Sequence, residues 1–187
     1  MPHYVAFLAG INLGNRRIKM DALRARFEEL KFRNVATFIA SGNVLFESNA
    51  RDAAKLETQI ERHLAKTLGY EVATFVRTRA EVAALADTRP FSKSDHAEPT
   101  HNLFAILFKT ALPADLARKI AAIRTDRDAF HVSDRELFWF TRGKLTESVV
   151  WTLPEVKALK FPKSTMRNTT TLRNIAEQFP PPASRAS

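Results

Sequence analysis

Cysteine is absent from this chain of 187 residues. That excludes a disulfide framework, a thiol nucleophile and cysteine metal ligands, and it fits a reducing compartment. No apolar run approaches the roughly 18 residues a membrane-crossing helix needs. The opening, MPHYVAFLAG, has neither the basic leader nor the small-residue cleavage pattern of a signal peptide. The sequence therefore predicts a soluble, cytoplasmic protein with no membrane partner. Tyrosine is scarce beside phenylalanine, 2 against 14, in a chain that is 45% hydrophobic. Each buried ring contributes roughly 1.5–3 kcal/mol, so the core needs no metal or disulfide staple.

Acidic residues are in short supply: 20 Asp and Glu stand against 29 Lys and Arg, a net charge of +9. The excess is shared, 15 basic against 10 acidic over residues 1–94 and 14 against 10 over residues 95–187. A local concentration runs from Arg142 to Arg173, where Lys144, Lys157, Lys160, Lys163 and Arg167 also lie. Such a balance favours contact with nucleic acid or another polyanion.

The stretch Tyr4–Met20, YVAFLAGINLGNRRIKM, organises the first half. An apolar strand empties into a loop with Gly10, Asn12, Gly14, Asn15, Arg16, Arg17 and Lys19. Met20, Leu23, Phe27 and Leu30 then recur at helical spacing, which predicts a helix over about 20–31. Val35–Ala40 and Val44–Phe46 read as two strands around Ser41-Gly42-Asn43, a hairpin turn. A long helix with Leu56, Ile60, Leu64 and Leu68 inward follows, capped by Ser48 or Asn49 and ended by Gly69. Glu71–Arg77 closes as a strand, and Thr78-Arg79-Ala80-Glu81 has the pattern of a capping box.

Thr88–Thr100, with two prolines, reads as a connector. The same order then restarts. His101–Lys109 is a strand, Pro113 opens a helix at its first position, and Phe130–Ser133 with Glu136–Thr141 form a strand pair. A helix from about Thr146 is interrupted at Pro154. A final polar helix is capped by Asn168, Thr169 or Thr170 and runs to Phe179, and the tail 180–187 reads as disordered. The expected architecture is α+β, with two βαββα-type, ferredoxin-like repeats of mostly antiparallel sheet and helices on one face. The boundaries are 1–88 for a first βαββαβ-type repeat, 89–100 for the connector, and 101–179 for the second repeat with its terminal helix.

Three motifs, AGINLGN followed by basic residues and Met20, TFIASGNVLF, and TMRNTTTLRNIAE, together resemble the bacterial domain-of-unknown-function family 1697. The resemblance covers nearly the whole chain and implies two βαββα-type repeats. It implies no activity, since the family is named for lacking one. Ala9 stands where the family often carries Arg, Ala40 where Gln is common, and Thr169 where an aromatic is common.

The polar residues of the three motifs are the candidate ligand positions: Asn12, Asn15, Arg16, Arg17, Ser41, Asn43, Arg167 and Asn168. Backbone N–H groups and cations of a loop or helix start can hold an anion. The glycines equally serve as turn residues and the cations as solvated surface. Gly10-x-x-x-Gly14 is no nucleotide fingerprint, no nucleophile elbow or Ser-His-Asp order is present, and the five histidines show no ligand spacing. No catalytic residue, metal or cofactor is predicted. Trp139 sits in an apolar strand and reads as core. Three functions stay open: a basic module for nucleic acid or another polyanion, a small-molecule phosphate or anion site, enzymatic or not, built from the three motifs, and a surface used only for protein contacts.

Overall fold

A computed structural model of the chain describes residues 1–39 and 42–178. The candidate Ser41, Ala40, the end of the last helix at Phe179 and the tail 180–187 lie outside the described residues. The chain divides into two compact units, Met1–Ala86 with the stretch beginning at Arg173, and Asp87–Leu172.

The first unit holds β1 (His3–Leu8), α1 (Met20–Glu28), β2 (Arg33–Phe38), β3 (Asn43–Glu47), α2 (Ala53–Leu68), β4 (Thr74–Thr78) and α3 (Arg79–Asp87). Its antiparallel sheet has the order β2-β3-β1-β4. The alternating residues Tyr4, Ala6 and Leu8 of β1 pack with Val44 and Phe46 of β3 and Val76 of β4. Leu23 and Phe27 of α1 and Leu56, Ile60 and Leu64 of α2 complete that core. Both β1 and β2 run antiparallel to β3, so they point the same way and leave the sheet at the same end.

The second unit repeats this order after a short helix, α4 (Lys93–Ala97). It contains β5 (Asn102–Leu107), α5 (Ala114–Ala122), β6 (Asp128–Ser133), β7 (Glu136–Thr141), α6 (Pro154–Lys157) and β8 (Thr165–Asn168). The sheet order is β6-β7-β5-β8, position for position that of the first unit. Phe104 and Ile106 of β5, with Phe108 just past its end, pack with Leu137 and Trp139 of β7 and Ile120 of α5. α7 (Thr169–Gln178) follows β8. The two ferredoxin-like repeats are present as expected.

Several local expectations are corrected. The cap of α2 is Asp52, whose carboxylate accepts from the N–H groups of Ala54 and Lys55. Ser48 instead accepts from Ala50 N–H, 3.2 Å away, in the preceding turn. A carboxylate at a helix N-terminus also meets the positive end of the helix dipole. Pro113 is the N-cap of α5, one place before the first helical residue. The helix expected from Thr146 is two 3-10 turns, Leu145–Glu147 and Val150–Thr152, before α6. Thr165–Asn168, expected as the approach to a helix, is a fourth strand paired antiparallel to β5. The capping box at Thr78 and Glu81 is present in both directions, Thr78 N–H to Glu81 Oε2 at 2.7 Å and Glu81 N–H to Thr78 Oγ1 at 3.1 Å.

The expected connector is anchored by His96, whose ring packs against Phe91 and Phe140. Its Nε2 lies 3.2 Å from the Phe91 N–H and accepts from it, which requires the neutral imidazole. Burial, with Arg89 adding to it, holds the pKa of His96 below its ordinary value of 6.5. The unfolded chain therefore takes up this proton first as pH falls. The contribution of His96 is complete above pH 6.5 and lost as pH drops through the lower folded-state value. Urea midpoints at about pH 7 and about pH 5 should differ less in His96→Phe than in the native protein, by under about 1 kcal/mol. An unchanged difference removes His96 as the source.

Candidate functional site

The Gly10–Lys19 loop is built largely from its own polar groups. Asn12 Oδ1 accepts from Ile18 N–H at 2.8 Å, and Arg17 Nη1 donates to the carbonyls of Gly14 and Arg16 at 2.9 and 2.7 Å. These bonds replace the ladder partners that a chain leaving a sheet loses. Arg16, Arg17 and Asn15 are exposed. The Arg16 guanidinium lies 4.5 Å above the Tyr70 ring centre, and the Tyr70 hydroxyl donates to the Ile11 carbonyl at 3.2 Å. The loop is thereby docked on Tyr70, just beyond the C-terminal end of α2.

The first two motifs meet. Leu8 N–H donates to the Gly42 carbonyl at 2.8 Å. Gly42 has φ of +75°, and a Cβ there would lie 2.7 Å from Ile11 Cγ2 and 3.1 Å from Leu8 Cβ. Only glycine suits both the conformation and the space. Gly42→Ala should lose about 2–4 kcal/mol of stability, read as a shifted urea midpoint, and a loss within experimental error removes the contact. Asn43 is buried and donates through Nδ2 to the Phe38 carbonyl at 3.1 Å, closing the hairpin.

Arg167 and Asn168 of the third motif lie in the second unit. Arg167 is 8% exposed, and its Nη1 donates to Thr165 Oγ1 at 2.7 Å and to the Met166 carbonyl at 2.8 Å. Burial lowers its pKa to about 10. Asn168 Oδ1 accepts from Thr170 N–H at 2.8 Å, as a cap of α7. Thr169, where the family often has an aromatic, is buried and donates through its hydroxyl to the Leu103 carbonyl at 3.1 Å. The basic run from Arg142 is partly committed as well: Arg142 donates to Asp95 Oδ1 and to the Asp126 carbonyl, and Glu147 is paired with Arg127.

A feature that motif reading passes over lies on α2. Glu57 Oε1 accepts from Val76 N–H and Glu61 Oε1 from Thr74 N–H, both at 2.9 Å. The two carboxylates of the helix body are thus spent on the outer edge of β4, a row of donors with no further strand beside it. Lys55, Gln59, Arg62 and Lys66 border one shallow depression on the opposite, outer face, with a volume of about 620 Å³. His63 on its margin pairs with Glu29 at 2.9 Å, and Lys55 lies 3.9 Å from Asp52. A helical wheel carries the signal: Glu57 and Glu61 flank the apolar stripe on one side, and the three cations lie away from it.

The sequence pattern of the family described as "Protein of unknown function (DUF1697)" matches residues 1–138. The chain belongs to that family. The DUF1697 match ends inside β7, so it takes in the first two motifs but not Arg167-Asn168. Comparison with curated proteins gives no match. Among solved structures, this DUF1697 chain is similar to a conserved bacterial protein from Streptococcus pneumoniae, with a TM-score of 0.73 at 18% identity. That similarity spans 95% of this chain and 98% of the other, and it establishes the shared fold. No described helix is long and apolar enough to cross a membrane. Among the described residues no cluster of three or more His, Cys, Asp or Glu could hold a metal ion.

Proposed function

We propose that the first unit binds the phosphate backbone of nucleic acid, using the outer face of α2 and the adjoining Arg16 loop. The supporting observation is the sorting of charge on α2. Its inner carboxylates serve β4, and the outer face is left to Lys55, Arg62 and Lys66. Lys55 and Lys66 are eleven residues apart, about 16 Å along a helix, which matches two to three phosphate spacings on a single strand. Arg16 on Tyr70 extends the cationic track past the end of α2. A cytoplasmic location, where nucleic acid is met, goes with this reading. A small-anion site at the joined loop and turn has less support, because Asn12 and Asn43 spend polar atoms within their own turns.

Contacts of this kind release condensed counterions, so affinity falls with salt. Three to four phosphate contacts predict a slope of log K against log salt of about −2 to −4. Fluorescence anisotropy with a labelled single-stranded oligonucleotide and its duplex measures it. Binding that ignores ionic strength, or no binding at about 50 mM salt, overturns the proposal.

A further inference from the structure

The two sheets align residue by residue through their registers. Ala6 faces Val76 across β1 and β4, and Ile106 faces Met166 across β5 and β8. Val76 and Met166 are therefore counterparts, as are Thr74 and Ser164. In the first unit α2 lies along this row, and Val76 is 0% exposed. In the second unit the counterpart of α2 is reduced to two 3-10 turns and the single-turn α6, and Met166 is 42% exposed. The shortening leaves an open pocket of about 430 Å³, lined entirely by residues of the second unit. Trp139 and Trp151 meet in its wall at 88°, with centroids 5.2 Å apart, beside Ile106, Met166 and the half-exposed Leu145.

Two polar atoms of that wall, Trp139 Nε1 and the Ser148 hydroxyl, are already committed. Trp139 Nε1 donates to Asp128 Oδ1 at 2.9 Å, and the Ser148 hydroxyl donates to the same oxygen at 2.8 Å. Thr125 takes the other carboxylate oxygen at 3.0 Å. The pocket offers aliphatic surface and the partly exposed ring of Trp151, with Trp139, 3% exposed, as its floor, and Asp128 stands behind the ring of Trp139.

At the other end lies the outer edge of β8. In an antiparallel ladder alternate residues exchange both backbone bonds with the neighbour. Phe108 N–H donates to the Arg135 carbonyl on the β7 side, so the alternate residues Ala105 and Leu107 bond Arg167 and Thr165, and Met166 turns its N–H group outward, with Ser164 just before the strand. The Met166 carbonyl accepts from Arg167 Nη1 at 2.8 Å, as the Val76 carbonyl accepts from Arg77 at 3.0 Å. The Val76 N–H has Glu57. Among the described residues no side chain does the same for Met166.

We propose that this pocket binds an aromatic monocarboxylate, its ring against Trp151 over Trp139 and its carboxylate on the outward N–H group of Met166, beside Ser164. The ligand thereby does for β8 what Glu57 does for β4. An acceptor-only group suits this edge better than an added peptide strand, which needs the carbonyl as well as the N–H, and Arg167 holds that carbonyl. The guanidinium beside Met166 favours negative charge, and ring stacking supplies the remaining affinity.

The chain has 2 Trp, and both line the pocket, so intrinsic tryptophan emission reports occupancy directly. The probe is 3-phenylpropanoate, with 3-phenylpropanol as its uncharged counterpart. A saturable emission change is expected with a Kd of about 1 mM or tighter, and the alcohol should bind at least about fivefold more weakly. Met166→Pro removes the N–H at an outward-facing edge position, where proline is tolerated, and should make acid and alcohol equal. Should that variant not fold, Leu145→Glu at the exposed rim should weaken the acid and lower the ratio of acid to alcohol affinity at least about fivefold. No saturable change up to about 10 mM, equal affinities in the native protein, or an acid-to-alcohol ratio unaffected by Leu145→Glu overturns the proposal.

Discussion

Reversing the charge at Arg62 and Lys66 together should lower oligonucleotide affinity about 100-fold at low salt and make the salt slope shallower by about two. Both side chains are exposed on the outer face of α2, away from the Leu56, Ile60 and Leu64 stripe that holds the helix. Glu is also a good helix former, so the double variant should unfold at the native urea midpoint. The loss should be the same for different base sequences, because phosphate contacts position a nucleic acid without reading it. Arg16→Ala provides an independent check at the far end of the track, with a slope change of about one. Anisotropy titrations over a range of salt decide the matter: an unaltered slope in the double variant places the binding face elsewhere.

Glu57→Ala should cost about 3 kcal/mol, a stability loss comparable with that of Gly42→Ala. Glu57 is 2% exposed, and its loss leaves the Val76 N–H buried without its acceptor. An orphaned buried donor costs about 1–3 kcal/mol, and the cavity left by the side chain adds to that. Glu57→Gln keeps an acceptor oxygen at the same reach and should recover most of the loss. Glu61→Ala should cost less, about 1 kcal/mol, because Glu61 is partly exposed and its truncation opens the Thr74 N–H to water. Urea unfolding of the three variants measures the series. Equal losses for Ala and Gln at position 57 would mean that shape, rather than the accepted hydrogen bond, holds α2 on β4.

The two predictions concern opposite faces of one helix. The carboxylates that stabilise the edge of β4 are the same ones whose inward orientation leaves the outer face cationic. Glu57→Ala should therefore also weaken oligonucleotide binding in proportion to the loosening of α2, whereas the Arg62 and Lys66 reversal should change binding alone.

What the sequence determined by itself is the set of local and periodic features. The apolar run of β1, the Gly42 hairpin, the 3.6-residue stripe of α2 with its stop at Gly69, and the Thr78–Glu81 capping box all depend on neighbours within a few residues. The repeated strand and helix order follows from the same signals, and the first two motifs lie within the residues that carry the family membership. The cap of α2 is not decided by local sequence, because Ser48, Asn49 and Asp52 are all competent caps; in the fold the Asp52 carboxylate meets the N–H groups of Ala54 and Lys55. β8 was not legible because Thr165–Asn168 has no apolar alternation; it is a strand only through its pairing with β5. Only the tertiary structure decided how the polar side chains are used. It turned Glu57 and Glu61 onto donors 19 and 13 residues away, buried Arg167, and spent Asn12 and Asn43 inside their own turns. It also cut the second unit's counterpart of α2 short and opened the pocket at Trp139 and Trp151. The physical reason is common to all of these. A buried hydrogen-bonding group must find a partner, and which partner it finds depends on what folding brings beside it.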